Sequence, residues 1–144
     1  MKIGLTIGTF DLLHPGHLRF LEACRDRCEW LTVAVNPDDF VERFKRRPVM
    51  TMVERIEQLT ACRWVDYAMV NLGCEDSGPT IVNSRAELLF HGDDWTGQSL
   101  LTQLGVTEEW LDGHGVELVY LPYTANGREP VSTSLILERI RGAS

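Results

Sequence analysis

The chain has 144 residues, 44% of them hydrophobic and 24% charged, which suits a single globular domain over residues 1–144 and excludes a disordered tract. A formal net charge of −7 and a pI of about 5.0 argue against a general nucleic-acid binder, whose surface is basic. A phosphorylated small molecule remains a compatible partner wherever positive groups converge locally. No apolar run approaches the ~20 residues needed to cross a bilayer, and Met1 leads straight into a strand-like run, so the expectation is a cytoplasmic protein with reduced thiols and no membrane insertion.

Lys2–Gly8 (KIGLTIG) reads as a first strand. Pro15 to about Cys28 reads as a helix, with Leu18, Leu21 and Cys24 at helical spacing. Cys24 and Cys28 share one face of it, and without a second Cys or His pair at matching spacing they read as structural thiols. Trp30–Val35 (WLTVAV) is a second strand ended by Asn36-Pro37. Thr51 with Glu54 three residues on forms a capping-box signature for a helix from Met52, whose apolar residues Val53, Ile56 and Leu59 recur every three positions.

Val65–Val70 is the third strand, residues 79–85 a short helix, and Ala86–Phe90 (AELLF) the fourth strand. One helix is expected within 98–112, and Val116–Leu121 (VELVYL) is the fifth strand. A last helix spans Ser132–Ile140, capped by Ser132 or Thr133, and Gly142-Ala143-Ser144 reads as a tail. Short apolar strands separated by helices predict an α/β fold: one doubly wound, Rossmann-like, five-stranded parallel sheet with helices on both faces. Ligands of such sheets sit beyond the carboxyl ends of the strands.

The most informative stretch is Gly8-Thr9-Phe10-Asp11-Leu12-Leu13-His14-Pro15-Gly16-His17, which leaves the first strand and enters the first helix. Unpaired N–H groups at a helix N-terminus favour a phosphate. Pro15 suits the first turn, where its missing N–H costs nothing, and Gly16 lets a ligand approach the backbone. His14 and His17, three apart, are placed to donate to phosphate oxygens as charge builds in a transition state. A surface pair or a metal site is the alternative for an isolated H-x-x-H.

This stretch resembles the "GTFDxLHxGH" signature, with its H-x-G-H core, of the cytidylyltransferase family within the nucleotidyltransferase superfamily. Arg63-Trp64-Val65-Asp66 is similar to that family's "R-Y-V-D", His91-Gly92-Asp93-Asp94-Trp95 contains its "GDDW", and Ser132-Thr133-Ser134 is similar to its "S-T-T". The resemblance runs nearly end to end. It implies transfer of CMP from CTP, accompanied by Mg²⁺, to a small phosphorylated acceptor with release of pyrophosphate. It also implies a homodimer.

The resemblance makes His14, His17 and Arg46 catalytic. It assigns Gly8, Thr9, Phe10, Asp11, Gly16, Arg63, Gly92, Asp94, Trp95, Thr124, Ser132 and Thr133 to the nucleotide, and more weakly Lys45, Arg55 and Arg128 to the acceptor. Magnesium is expected on the triphosphate, near Asp11 or Asp94, rather than in a dedicated protein site. Several assignments have ordinary structural alternatives. Lys45-Arg46-Arg47 is also a solvated basic loop, Arg63 a structural ion-pair partner, Gly92-Asp93-Asp94 a turn, and Ser132 a helix cap.

The chain departs from the family in its acceptor half. Two lysine positions tied to glycerol 3-phosphate are Phe44 and Ser77 here, and a family arginine is Tyr123, with Arg128 available from a longer loop. The acceptor expectation is therefore glycerol 3-phosphate or a related polyol or alcohol phosphate. An amino-alcohol phosphate or a phosphonate is the alternative, as are ATP in place of CTP and a nucleotide-binding homologue without turnover.

Overall fold

A computed structural model describes residues 1–43, 46–73, 75–92, 98–122 and 131–143. Its elements run β1 (Ile3–Gly8), α1 (Pro15–Arg25), β2 (Trp30–Val35), α2 (Asp38–Glu42), α3 (Met52–Thr60), β3 (Tyr67–Val70), α4 (Gly78–Ser84), β4 (Leu88–Gly92), α5 (Gln98–Leu104), α6 (Glu108–Gly113), β5 (Glu117–Leu121) and α7 (Thr133–Ala143). The five strands form one parallel sheet in the order β3-β2-β1-β4-β5. The order reverses beside β1, the arrangement that opens a crevice at the carboxyl ends.

Successive strand residues point to opposite faces, and each face has its own core. On one, Leu31, Val33, Val35 and Phe90 pack with Phe20, Leu21 and Cys24 of α1 and Leu59 of α3. On the other, Leu5, Ile7, Ala34 and Leu89 pack with Ile81 of α4, Leu100, Leu101 and Leu104 of α5, and Leu111 of α6. The sheet is thus covered on both sides. Cys24 and Cys28 are free and buried; burial drives both thiols up, away from the reactive thiolate. No helix among the described residues is long and apolar enough to cross a membrane.

The capping box at Thr51 forms in full: Thr51 Oγ1 accepts the Glu54 N–H at 3.2 Å, and Glu54 Oε1 accepts the Thr51 N–H at 2.8 Å. Thr51→Ala is expected to lower stability by about 1 kcal/mol, read from the urea midpoint; an unchanged midpoint would show the cap contributes nothing.

The structure corrects several boundaries. The short α2 follows Pro37 without a side-chain cap, so no cap signal marked it. The single helix expected in 98–112 is two, parted by Gly105, whose φ of +72° suits glycine, and by Thr107, which caps α6. The fourth strand continues to Gly92 and the last helix to Ala143. On α3, Val53 is 68% exposed while Arg55 and Leu59 are fully buried. A helix advances about 100° per residue, so three-residue steps drift off a face, whereas positions 55 and 59 stay together.

Candidate active site

The loop leaving β1 is held in an uncommon backbone shape. Phe10 and Leu12 have φ of 53° and 52°, in the left-handed region that side chains disfavour. Between them Asp11 is 4% exposed. Its carboxylate accepts the N–H groups of Val49 (2.8 Å) and Met50 (2.9 Å) and the Arg46 guanidinium (2.9 Å). Burial pushes its pKa up, but the Met50 and Val49 N–H groups and Arg46 together outweigh burial and hold it below the usual carboxylate range. Asp11 therefore ties the loop to residues 46–50.

His14 is the N-cap of α1, and Pro15 fills its first turn. His14 Nδ1 accepts the N–H groups of Gly16 (3.0 Å) and His17 (3.4 Å), while His17 Nδ1 accepts the His14 N–H (3.3 Å). A nitrogen that accepts carries no proton, so both imidazoles are neutral with the proton on Nε2. His14 Nε2 lies 3.3 Å from Thr133 Oγ1, whose hydroxyl reaches the Asp11 carbonyl at 3.3 Å. The relay reads imidazole N–H to hydroxyl to carbonyl, and fastens the start of α7 to the β1 loop. The two rings stack with centroids 3.8 Å apart, and Phe10 meets His17 at 5.4 Å.

A cleft of about 490 Å³ opens across the carboxyl ends of the strands, within the usual size range for small-molecule sites. The β1 loop contributes Gly8, Thr9, Phe10 and Asp11 to its wall, with His17, Arg46, Thr133 and Ser134 beside them. The lining also includes Asn36, Phe40, Asn71, Ser77, His91 and Gln103. Arg46 is paired to Asp11 and bonded to the Arg47 carbonyl, yet its side chain keeps 39% exposure. It therefore brings positive charge to the cleft.

Several expected roles change. His14 is buried, lies outside the cleft wall and has both ring nitrogens engaged, so it meets the cleft only through Thr133. The Asp11 carboxylate is engaged by three donors, the Val49 and Met50 N–H groups and Arg46. The space a side chain at Gly16 would take is filled by the Val131 carbonyl and the His14 ring, so this glycine serves close packing of protein, not of ligand. Arg55 is fully buried, donating to the carbonyls of Thr9, Asn36 and Met50 and to Asp38, and cannot reach an acceptor.

Arg63 is exposed before β3, its guanidinium 5.2 Å from the Trp64 ring. In a parallel sheet that position is the amino edge, away from the cleft. Ser132 Oγ accepts the Leu135 N–H at 3.2 Å and acts as a cap. Gly92 ends β4, buried beside the cleft-lining His91. Lys45, Asp94, Trp95, Thr124 and Arg128 lie outside the described residues.

Asn36, Asn71 and Gln103 carry no expectation from the sequence, whereas Ser77 stands at an acceptor position of the family and His91 opens its GDDW stretch. The first two immediately follow β2 and β3, so a polar residue just past an apolar strand was the available signal. Among the described residues no three His, Cys, Asp or Glu side chains converge as metal ligands. Asp94, the other residue expected near magnesium, lies outside the described residues.

Acid should weaken this assembly. Burial lowers the His14 pKa below its ordinary 6.5, and Asp11 lies below its ordinary 3.8. In both cases the unfolded chain binds more protons as pH falls, so stability is full above those ordinary values and is lost as pH drops through the folded ones. The melting temperature should begin to fall below about pH 6.5, and His14→Asn, which keeps a capping acceptor, should flatten that first decline. An equal decline in wild type and variant would assign it to another group.

The Cytidylyltransferase-like family model matches residues 5–139. The chain belongs to this family of nucleotidyltransferase enzymes. It is 32% identical over 142 residues to the glycerol-3-phosphate cytidylyltransferase of Bacillus subtilis, covering 99% of both chains. It is also 33% identical over 141 residues to the Bifunctional protein HldE of Hyphomonas neptunium, covering 96% of this chain but spanning only 27% of that protein. Among solved structures, the lipopolysaccharide core biosynthesis protein from Thermoplasma volcanium superposes with a TM-score of 0.68 at 23% identity, covering 84% of this chain and 96% of that one. Pantothenate synthetase from Thermus thermophilus superposes with a TM-score of 0.58 at 17% identity, covering 85% and 56%. These last two likenesses concern the fold.

Proposed function

We propose that this family member transfers CMP from CTP to a small phosphorylated acceptor and releases pyrophosphate. The observation that carries this reading is the cleft wall itself. Neutral His17 and cationic Arg46 stand together at the carboxyl end of β1, beside the N-terminus of α1. The acceptor's phosphate oxygen attacks the α-phosphorus of CTP, and the bond from that phosphorus to the bridging oxygen of pyrophosphate breaks. The acceptor needs no general base, because a phosphate monoester is mostly dianionic at neutral pH, its second pKa being about 6. Catalysis comes from alignment and from neutralising charge on the phosphates, with His17 donating from Nε2 and Arg46 adding positive charge. Magnesium arrives with the triphosphate as its counter-ion.

Cytidine is the proposed base, by resemblance of the loop containing Asp94 and Trp95. The enzyme is proposed to act in the cytoplasm as a homodimer. The test is pyrophosphate release with CTP or ATP across a panel of phosphorylated alcohols and phosphonates. Acceptor-dependent release with CTP supports the reading. Release with ATP alone would make the protein an adenylyltransferase, and nucleotide binding without release would make it a binding protein.

A further inference from the structure

The last helix carries apolar side chains that the fold does not bury. α7 contains Leu135, Ile136, Leu137 and Ile140, yet none of its residues is buried and none joins either core among the described residues. Its start is fastened, with Thr133 bonded to the Asp11 carbonyl and beside His14, and with the Val131 carbonyl over Gly16. Eleven residues then carry the helix roughly 16 Å. Toward its far end Ile140 is 58% exposed, with exposed Arg139 and Arg141 about 100° to either side of it. Arginines in a last turn suit the helix dipole, but that does not account for an isoleucine left in water between them.

A surface of opposite charge lies elsewhere on the chain. A groove of about 440 Å³ runs between α6 and the start of β5. Leu111 and Val116 form its buried floor with half-buried Leu118, and exposed Glu108, Asp112 and Glu117 stand along it. Among the described residues these carboxylates form no ion pair and do not converge as metal ligands. Apolar floor and acidic rim match an apolar side chain between two guanidinium groups. The exposure of Ile140 shows that its own chain does not bury it. α7 starts beside α1, whose Phe20, Leu21 and Cys24 pack on one face of the sheet, whereas Leu111, Val116 and Leu118 belong to the other. Two copies of net charge −7 repel at long range, so self-association needs opposite charges brought together locally.

We propose that Arg139, Ile140 and Arg141 of α7 dock into the α6–β5 groove of a second copy of this chain, reciprocally, and that the contact braces the cleft. β5 is an edge strand. A half-turn about an axis along the strands beside it exchanges the two faces and sets each α7 against the other copy's groove. One rotation makes both contacts, so the assembly closes at two. This rests on the homodimer reading and gives it a surface. Thr133 and Ser134 line the cleft, so the partner steadies the helix that positions them.

Sedimentation of the full chain tests the surface, with wild type expected to be a dimer. Arg139→Glu with Arg141→Glu, and separately Glu108→Arg with Asp112→Arg, should each raise the dissociation constant about a hundredfold, because like charges then meet at both symmetric contacts. Mixing the two variants should restore the dimer, since every helix end then meets a groove of opposite charge. Ile140→Gln, which alters no charge, should weaken it about tenfold. Variants that remain dimeric, or a mixture that remains monomeric, would overturn the surface and leave the homodimer reading standing. A monomeric wild type would remove both. The brace is read from the dissociation constant of CTP, expected to rise about fivefold in the groove variant and to recover in the mixture; an unmoved value would overturn it.

Discussion

His17→Ala is expected to lower kcat for pyrophosphate release by about 10²–10³-fold, the usual effect of removing one preorganised donor to developing charge. His17 occupies the cleft wall in a single tautomer, because its Nδ1 accepts the His14 N–H and its proton is therefore on Nε2. The same substitution removes half of the capping box, so stability should fall by about 1 kcal/mol, too little to explain the rate. The pair of measurements separates the roles. A large loss of kcat with a small shift in the unfolding midpoint places His17 in the chemistry, and an unchanged rate removes it from the mechanism.

The largest stability effect should come from Arg55. Its guanidinium is fully buried and holds four partners: the Thr9, Asn36 and Met50 carbonyls at 2.7, 2.9 and 3.3 Å, and Asp38 at 2.7 Å. These join the β1 loop, the end of β2 and the start of α2 through one side chain from α3. Arg55→Met removes every one of those bonds and leaves buried carbonyls unpaired. The expected loss is about 3 kcal/mol or more, as for breaking a buried pair from one side, measured by urea unfolding. Should the variant not fold, Asp38→Asn gives a milder comparison, because Asp38 is partly exposed. A stable Arg55→Met protein with only a raised acceptor KM would return Arg55 to the substrate.

The fold was largely legible because its signals are local. Continuous apolar runs marked the central strands, Pro15 marked the entry to α1, and Thr51 with Glu54 marked α3. The β1 loop was legible for the same reason, since its chemistry is contiguous along the chain from Gly8 to His17. The two arginines that the structure places away from the cleft share a physical lesson. Arg55 and Arg63 were assigned by charge and resemblance, yet charge does not tell which way a side chain turns. Arg55 shares the inward face of α3 with Leu59, and Arg63 stands at the amino edge of a parallel strand. The network in which Asn71 Nδ2 donates to Asn36 Oδ1 and Ser77 Oγ joins residues 35 and 6 positions apart. Such a pattern has no spacing to read. His14 shows a subtler limit: its pairing with His17 in the motif is clear, but the split between a capping imidazole and a cleft-facing one depends on both capping bonds.

The most direct test follows the α-phosphorus. CTP labelled at that position is incubated with Mg²⁺, the protein and the acceptor that gives most pyrophosphate, and the label is traced by chromatography and mass. Direct transfer predicts that it moves into a product joining CMP to the acceptor's phosphate, one per pyrophosphate released, with none bound to protein. Label retained in CTP while the acceptor gains the γ-phosphate, or label covalently attached to the protein, would contradict in-line transfer at the cleft of His17 and Arg46.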